Sequence, residues 1–359
     1  MAARAYVYPF YQNSTLLTLS FVTESAGRGD SYLGLAVFHI LLASWIGLAN
    51  SSQIINVILS PGLRGQPKNI LVCNVCLAEL IMGVFLCPLY TDTLLQGIWR
   101  HSLGACAVYE LTFYGQVCVA TLAMLVLAVE RLYFRLTPSM MEGSGSRGFT
   151  AVLVLLPWLV GAGLVGPIFT FGTAVVQGED SNPCQLLWKP KFQAVVVFVS
   201  FMCPALLLLS VVAGLHFLHI TKNVQAKCRD LGPHPEKKAF KESLQVTALA
   251  AAVCVTLQLP LFILLVKAVL CQQGGNANSC GIDTASWSVA MASLMLKSGV
   301  MPVVWLAYTD VRVWFRQGLV GTLCASKDVP AMDDQGNDAE STIAAVGNSR
   351  QAILQSSVM

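Results

Sequence analysis

Residues Cys106 to Arg131 read CAVYELTFYGQVCVATLAMLVLAVER. As a helix, this stretch of roughly 25 residues is long enough to cross the ~30 Å hydrocarbon core of a bilayer. Charge is confined to its two ends, Glu110 near one and Glu130-Arg131 at the other. An apolar segment that opens on a cysteine and closes on a carboxylate beside a guanidinium reads as a membrane span with chemically distinct ends.

The rest of the chain is of the same kind. Of its 359 residues, 55% are hydrophobic and 11% charged, against about 25% charged in a soluble domain, and the mean hydropathy is +0.64. So few charges cannot build a water-facing shell. The apolar runs are continuous rather than alternating, which predicts helices and excludes a barrel. Spans are expected near 32–59, 69–96, 103–136, 149–171, 191–221, 243–270 and 284–308.

Seven crossings place the termini on opposite sides. The third inner connection alone holds Lys222, Lys227, Arg229, Lys237, Lys238 and Lys241, while the outer side holds only Arg4, Arg28, Arg100, Lys189 and Lys191. That excess puts the amino terminus outside and the carboxyl terminus in the cytoplasm. Asn13-Ser14-Thr15 is then an accessible glycosylation acceptor. Half of the twelve cysteines (Cys73, Cys76, Cys87, Cys118, Cys203 and Cys254) fall inside spans as small apolar residues, but Cys106, Cys184, Cys271 and Cys280 lie at the outer face, where disulfides persist. Cys271 with Cys280 would close the third outer loop, although spacing does not fix connectivity. After Asp310 the run Val311 to Leu319 is amphipathic and basic, as expected of a helix lying on the inner leaflet. Cys324 beyond it is a candidate palmitoylation site or an exposed free thiol.

The expected architecture is therefore an all-α integral membrane protein, a seven-transmembrane helix bundle with a short amphipathic eighth helix. An extracellular segment occupies 1–31, the bundle 32–308, the eighth helix 309–321, and an acidic, polar cytoplasmic tail of disordered composition 322–359.

The third span closely resembles the third helix of rhodopsin-like (class A) G protein-coupled receptors. In that family the outer cysteine bonds the second extracellular loop, which implies a Cys106–Cys184 bridge, and the acidic-Arg pair meets the G protein. The family's Asp-Arg-Tyr reads Glu130-Arg131-Leu132 here, with Arg135 one turn on. The resemblance extends over about residues 30–325. Asn50 is similar to an asparagine tying the first, second and seventh helices, and Glu79 in Leu77-Ala78-Glu79 stands where the family has aspartate. Trp99, Trp158, Pro204, Pro260 and Pro302 match characteristic positions. Four activation contacts depart from the pattern: Val212 replaces a tyrosine, Gln258 the tryptophan before Pro260, and Met301 and Trp305 the asparagine and tyrosine around Pro302.

Lys297, five positions before Pro302, places an ammonium at membrane depth. Such a charge must face the bundle interior and find a negative partner. Related receptors often hold sodium at this level, but the positions of its serine and asparagine ligands are Ala120 and Met301 here. The expectation is a Glu79–Lys297 pair in place of a sodium site; the alternative is a lysine facing a wet cavity. Visual-type opsins carry their retinal lysine seven residues before the proline, where this chain has Met295, so no retinal is expected, and no metal cluster or other cofactor is read.

For a ligand, the position of the amine-binding aspartate is Phe113, which argues against a monoamine. Glu110, Tyr114, Lys267, Asp92, Trp188, Gln258 and Trp287 are the candidate pocket residues. Glu110 and Lys267 together would suit a zwitterionic or peptide ligand, or would bond each other. No catalytic constellation or nucleic-acid-binding pattern is present in the sequence, so no enzyme is expected. The resemblance implies a plasma-membrane receptor partnered by membrane lipids, an extracellular ligand, a heterotrimeric G protein and arrestin. The rival expectation, supported by the four departures, is a non-switching scaffold or trafficking partner of other membrane proteins.

Overall fold

The computed structural model describes residues 17–18, 29–96, 99–136, 145–175, 186–228, 235–273 and 284–313. Among the described residues, seven helices are long and apolar enough to cross a membrane. The first runs over Gly29–Leu59 and is followed by a single turn, Pro61–Arg64. The second comprises Pro67–Ile81, Met82–Leu86 and Cys87–Gln96. The third is Leu103–Leu136 and the fourth Gly145–Gly172. The fifth comprises Pro190–Val197, Phe198–Met202 and Cys203–Cys228, the sixth is Pro235–Gln273, and the seventh Thr284–Trp305. After a turn at 306–308, a further helical stretch occupies 309–313.

The fifth and sixth helices outrun the spans expected for them, because the end of an apolar run marks where lipid ends and not where the helix ends. Residues 222–228 and 235–241 are rich in Lys, Gln, Glu and Ala, which form helix readily in water.

Burial follows the helical period. On the first helix Ala36, His39, Leu42, Ile46, Ala49, Asn50, Gln53 and Val57 face inward, three or four apart, while Val37, Leu41, Leu48, Ile55 and Leu59 are exposed. An apolar outer face of this kind is what lipid requires and water penalises. The third helix is buried along most of its length, with Phe113, Tyr114, Val117 and Cys118 in one half of the core and Ala123, Met124 and Leu127 in the other.

Two π turns share one cause. Met82–Leu86 ends two residues before Pro88, and Phe198–Met202 ends two residues before Pro204. A proline has no N–H to donate and crowds the carbonyl four residues back. The preceding turn widens, so that Cys87 N–H bonds Met82 O and Cys203 N–H bonds Phe198 O, each five residues back.

Beyond the ends of the spans lies a small antiparallel sheet that the sequence pattern does not predict. Leu186–Trp188 is its central strand, pairing Thr173–Val175 on one side and Leu17–Thr18 on the other. It turns Trp188 into the bundle, where the indole packs edge-on against Tyr114 and Phe169, with ring centroids 5.5 and 5.6 Å away.

Candidate functional site

The centre of the bundle holds a cluster of charge and hydrogen bonds drawn from the first, second, third and seventh helices. Glu79 and Lys297 are both fully buried, with Nζ 2.8 Å from Oε1. A carboxylate and an ammonium at this distance form an ion pair. The other carboxylate oxygen, Oε2, accepts the Ser298 hydroxyl at 2.6 Å and the Gln116 amide at 3.2 Å. Asn50 donates to Ser298 O at 3.1 Å and to Ile46 O at 2.9 Å, joining the first helix to the seventh. Gln53 donates to Pro302 O at 3.3 Å, and Trp45 to Gly299 O at 2.9 Å.

At this separation the Coulomb attraction is about 6 kcal/mol for an effective dielectric of 20, which desolvation of two ions, at several kcal/mol each, consumes. The pair therefore specifies which helices face each other more than it adds net stability.

One layer inward, Gln258 Nε2 donates to Thr121 Oγ1 at 3.1 Å, linking the sixth helix to the third. Gln258 is thus held inside the core by Thr121. Ser293 Oγ donates to Leu257 O at 2.9 Å, joining the seventh helix to the sixth.

The outer candidates divide. Tyr114 and Trp188, each 2% exposed, pack ring against ring together with Phe113, and Trp287 is buried in the same cluster. Glu110 stands beside Tyr109 and Tyr114. Asp92 is half-exposed and pairs with His101 at 3.1 Å. Lys267 does not belong with them. The sixth helix buries Leu261, Leu265 and Val269, and a residue two positions from Leu265 and from Val269 projects from the opposite face, so Lys267 is exposed there. Lys267, a candidate pocket residue with Glu110 on sequence grounds, thus stands off the side of the sixth helix that packs into the bundle.

Near the carboxyl-terminal end of the third helix, the Arg131 guanidinium makes a two-pronged contact with the carboxylate of its neighbour Glu130. Glu130 is fully buried and the Arg131 side chain 12% exposed. Arg135 lies on the same helix, but its side chain is outside the described residues.

Facing them is the turn after the seventh helix. Tyr308 stacks on Trp305, with ring centroids 6.4 Å apart and planes 9° from parallel, and its hydroxyl lies 3.4 Å from Thr247 Oγ1. Burial pushes the Tyr308 phenol above its ordinary value, with its hydrogen bond to Thr247 and the charge of Arg131 pulling the other way. Sequence reading found the family's tyrosine missing at Trp305; the fold presents a phenol three residues later.

Cys106 and Cys271 are both disulfide-bonded. Cys184 and Cys280, expected as their partners, lie outside the described residues, as do Asn13 and Cys324.

The family model described as 7 transmembrane receptor (rhodopsin family) matches residues 49–305. The chain belongs to that family. The matched stretch includes Asn50, the Glu79–Lys297 cluster, Glu130-Arg131 and Trp305. Among curated relatives, the receptor is 24% identical over 144 residues to endothelin receptor type B of Rattus norvegicus, covering 39% of this chain and 33% of that one. It is 27% identical over 156 residues to proteinase-activated receptor 4 of Rattus norvegicus, covering 40% and 39%. With the G-protein coupled receptor moody of Drosophila melanogaster it shares 22% over 153 residues, covering 42% and 23%. Each match thus spans well under half the length of the relative.

Three members of this receptor's site went unread in the sequence. Gln116, Ser298 and Thr121 are neutral polar residues scattered in apolar helices, and they draw no attention when charge is the signal. The available clue was adjacency: Ser298 follows Lys297, and Gln116 is one turn from Ala120, a small side chain that leaves room for a carboxamide to reach the second helix.

Proposed function

We propose that this multi-pass membrane receptor sits in the plasma membrane with its amino terminus outside and passes an extracellular ligand signal to heterotrimeric G proteins. The observation that carries the reading is Glu130-Arg131 at the inner end of the most enclosed helix, with the arginine held by its neighbour and only 12% exposed. In that position the guanidinium is a contact poised to be uncovered. The sixth helix has Pro260 within it, which supplies a flexible point about which its inner end can swing. The ligand end is the outer third of the bundle, around Asp92 and Glu110 and above the packed rings of Tyr114 and Trp188.

A second reading, a receptor-shaped scaffold that does not switch, draws support from the Glu79–Lys297 pair. An ammonium that is covalently part of the seventh helix ties it to the second without a dissociable ion.

Arg131→Ala separates the two. At matched surface expression, the substitution is expected to bring basal G protein activation, measured across the G protein classes, down to the level of cells lacking the receptor. Equal signals from wild type and variant in every class would favour the scaffold.

A further inference from the structure

Glu242 lies near the cytoplasmic end of the sixth helix, and both of its carboxylate oxygens are engaged by one residue beyond the seventh. Oε1 accepts the backbone N–H of Thr309 at 2.5 Å and Oε2 accepts the Thr309 hydroxyl at 2.9 Å. Two donors meeting one ionised carboxylate make a charge-assisted, two-pronged contact, stronger and more directional than a neutral hydrogen bond. The residues on either side of Thr309 are also anchored. Tyr308 reaches Thr247 of the same sixth helix. Asp310 pairs with Lys68 of the second helix at 3.0 Å and accepts from Asn69 at 3.3 Å. Lys68 also lies over the Tyr308 ring, 4.7 Å from its centre.

Three consecutive residues therefore staple the inner end of the sixth helix to that of the second. The second-helix side of the staple is fixed through Asp310. An outward swing of the sixth helix would draw Glu242 away from Thr309, and the carboxylate contact opposes that movement most directly.

We infer that the Glu242–Thr309 contact is a latch that holds the cytoplasmic end of the sixth helix closed, and that Glu242 is a positioning residue for G protein access to Arg131. The inference rests on the reading of this chain as a switching receptor. The resting acid beside Arg131 is Glu130, on its own helix. Glu242 of the sixth helix is committed instead to Thr309.

The test uses full-length receptor in lipid nanodiscs without G protein, read by hydrogen exchange of peptides covering 241–250 and 306–313, with basal G protein activation in cells read in parallel. Glu242→Ala is expected to speed exchange in both segments by about tenfold, the factor expected on losing a hydrogen bond to a charged group. Thr309→Val removes the hydroxyl but keeps the N–H and should fall between, as should Glu242→Gln, which keeps the shape without the charge. Thr309→Ser should behave as wild type. Basal signalling should rise in the same order.

Faster exchange without added signal keeps the latch and removes the receptor reading on which its purpose rests. Unchanged exchange in both Glu242→Ala and Thr309→Val overturns the latch, whether or not signalling changes, since any effect on signal would then come from Glu242 acting elsewhere. If Glu242→Ala fails to reach the surface, Thr309→Val and Glu242→Gln carry the same comparison.

Discussion

Replacing Lys297 by Met is expected to lower surface expression severalfold and to destabilise the purified receptor by ~3–5 kcal/mol, the range seen when one partner of a buried ion pair is removed. The carboxylate left behind is fully buried and keeps only two neutral donors, Ser298 and Gln116. Glu79→Gln should do comparable harm for the mirror reason, since it strands an ammonium in the same dry interior. The informative variant is the double one. With both charges gone, the remaining cost is an imperfectly matched set of neutral hydrogen bonds, so it should recover to within about 1–3 kcal/mol of wild type. Set against two single losses of that size, this is a coupling energy of at least ~3 kcal/mol, well above the ~0.5 kcal/mol within which independent sites add. Thermal unfolding of purified protein and flow cytometry of intact cells would both register it. If the two single losses simply summed, Glu79 and Lys297 would not be partners.

The same pair shows what a sequence yields and where it stops. A carboxylate and an ammonium inside apolar runs are so expensive that each demands a partner, and the demand can be read without coordinates; the structure brings the two within 2.8 Å. The seven spans were legible for a similar reason, because lipid enforces long apolar runs that nothing else in this chain imitates. Lys267 shows the limit of linear reasoning. Its depth along the sixth helix is readable from its distance to Pro260, but its face is set by the buried stripe Leu261, Leu265, Val269. Glu242 and Thr309 are 67 positions apart, both polar and both near an inner end. Nothing local distinguishes their contact from many others that water would satisfy equally well. The strands at 173–175 and 186–188 were missed because three residues carry too little alternation to be seen. Helix ends in water were missed because hydropathy reports the solvent boundary rather than the hydrogen-bond ladder.

The second large effect is expected at a residue with no side chain. A Cβ added at Gly83 would lie 2.6 Å from Ile46 Cγ2, 2.8 Å from Ile46 Cβ and 3.1 Å from the Ala43 carbonyl oxygen. The methyl group alone could rotate away, but Ile46 Cβ and the Ala43 carbonyl are fixed to the first helix, so relief requires the first and second helices to part. Gly83→Ala should therefore destabilise by ~1–3 kcal/mol, as overpacking typically does, and Gly83→Leu by more. Gly214 is the control: it also lies inside a helix, but nothing stands within 4 Å of its added Cβ. Gly214→Ala should leave thermal stability unchanged or raised by up to ~1 kcal/mol, since alanine orders a helix at lower entropic cost. Equal midpoints for Gly83→Ala and Gly214→Ala would mean that the first two helices do not approach this closely. The consequence reaches the polar cluster, because Ile46 is one turn from Asn50 and Gly83 one turn from Glu79. Spacing set at the Ile46–Gly83 contact fixes whether Asn50 reaches Ser298 and whether Glu79 reaches Lys297. Gly83→Ala combined with Lys297→Met should then cost less than the two changes summed, since both act on the same cluster.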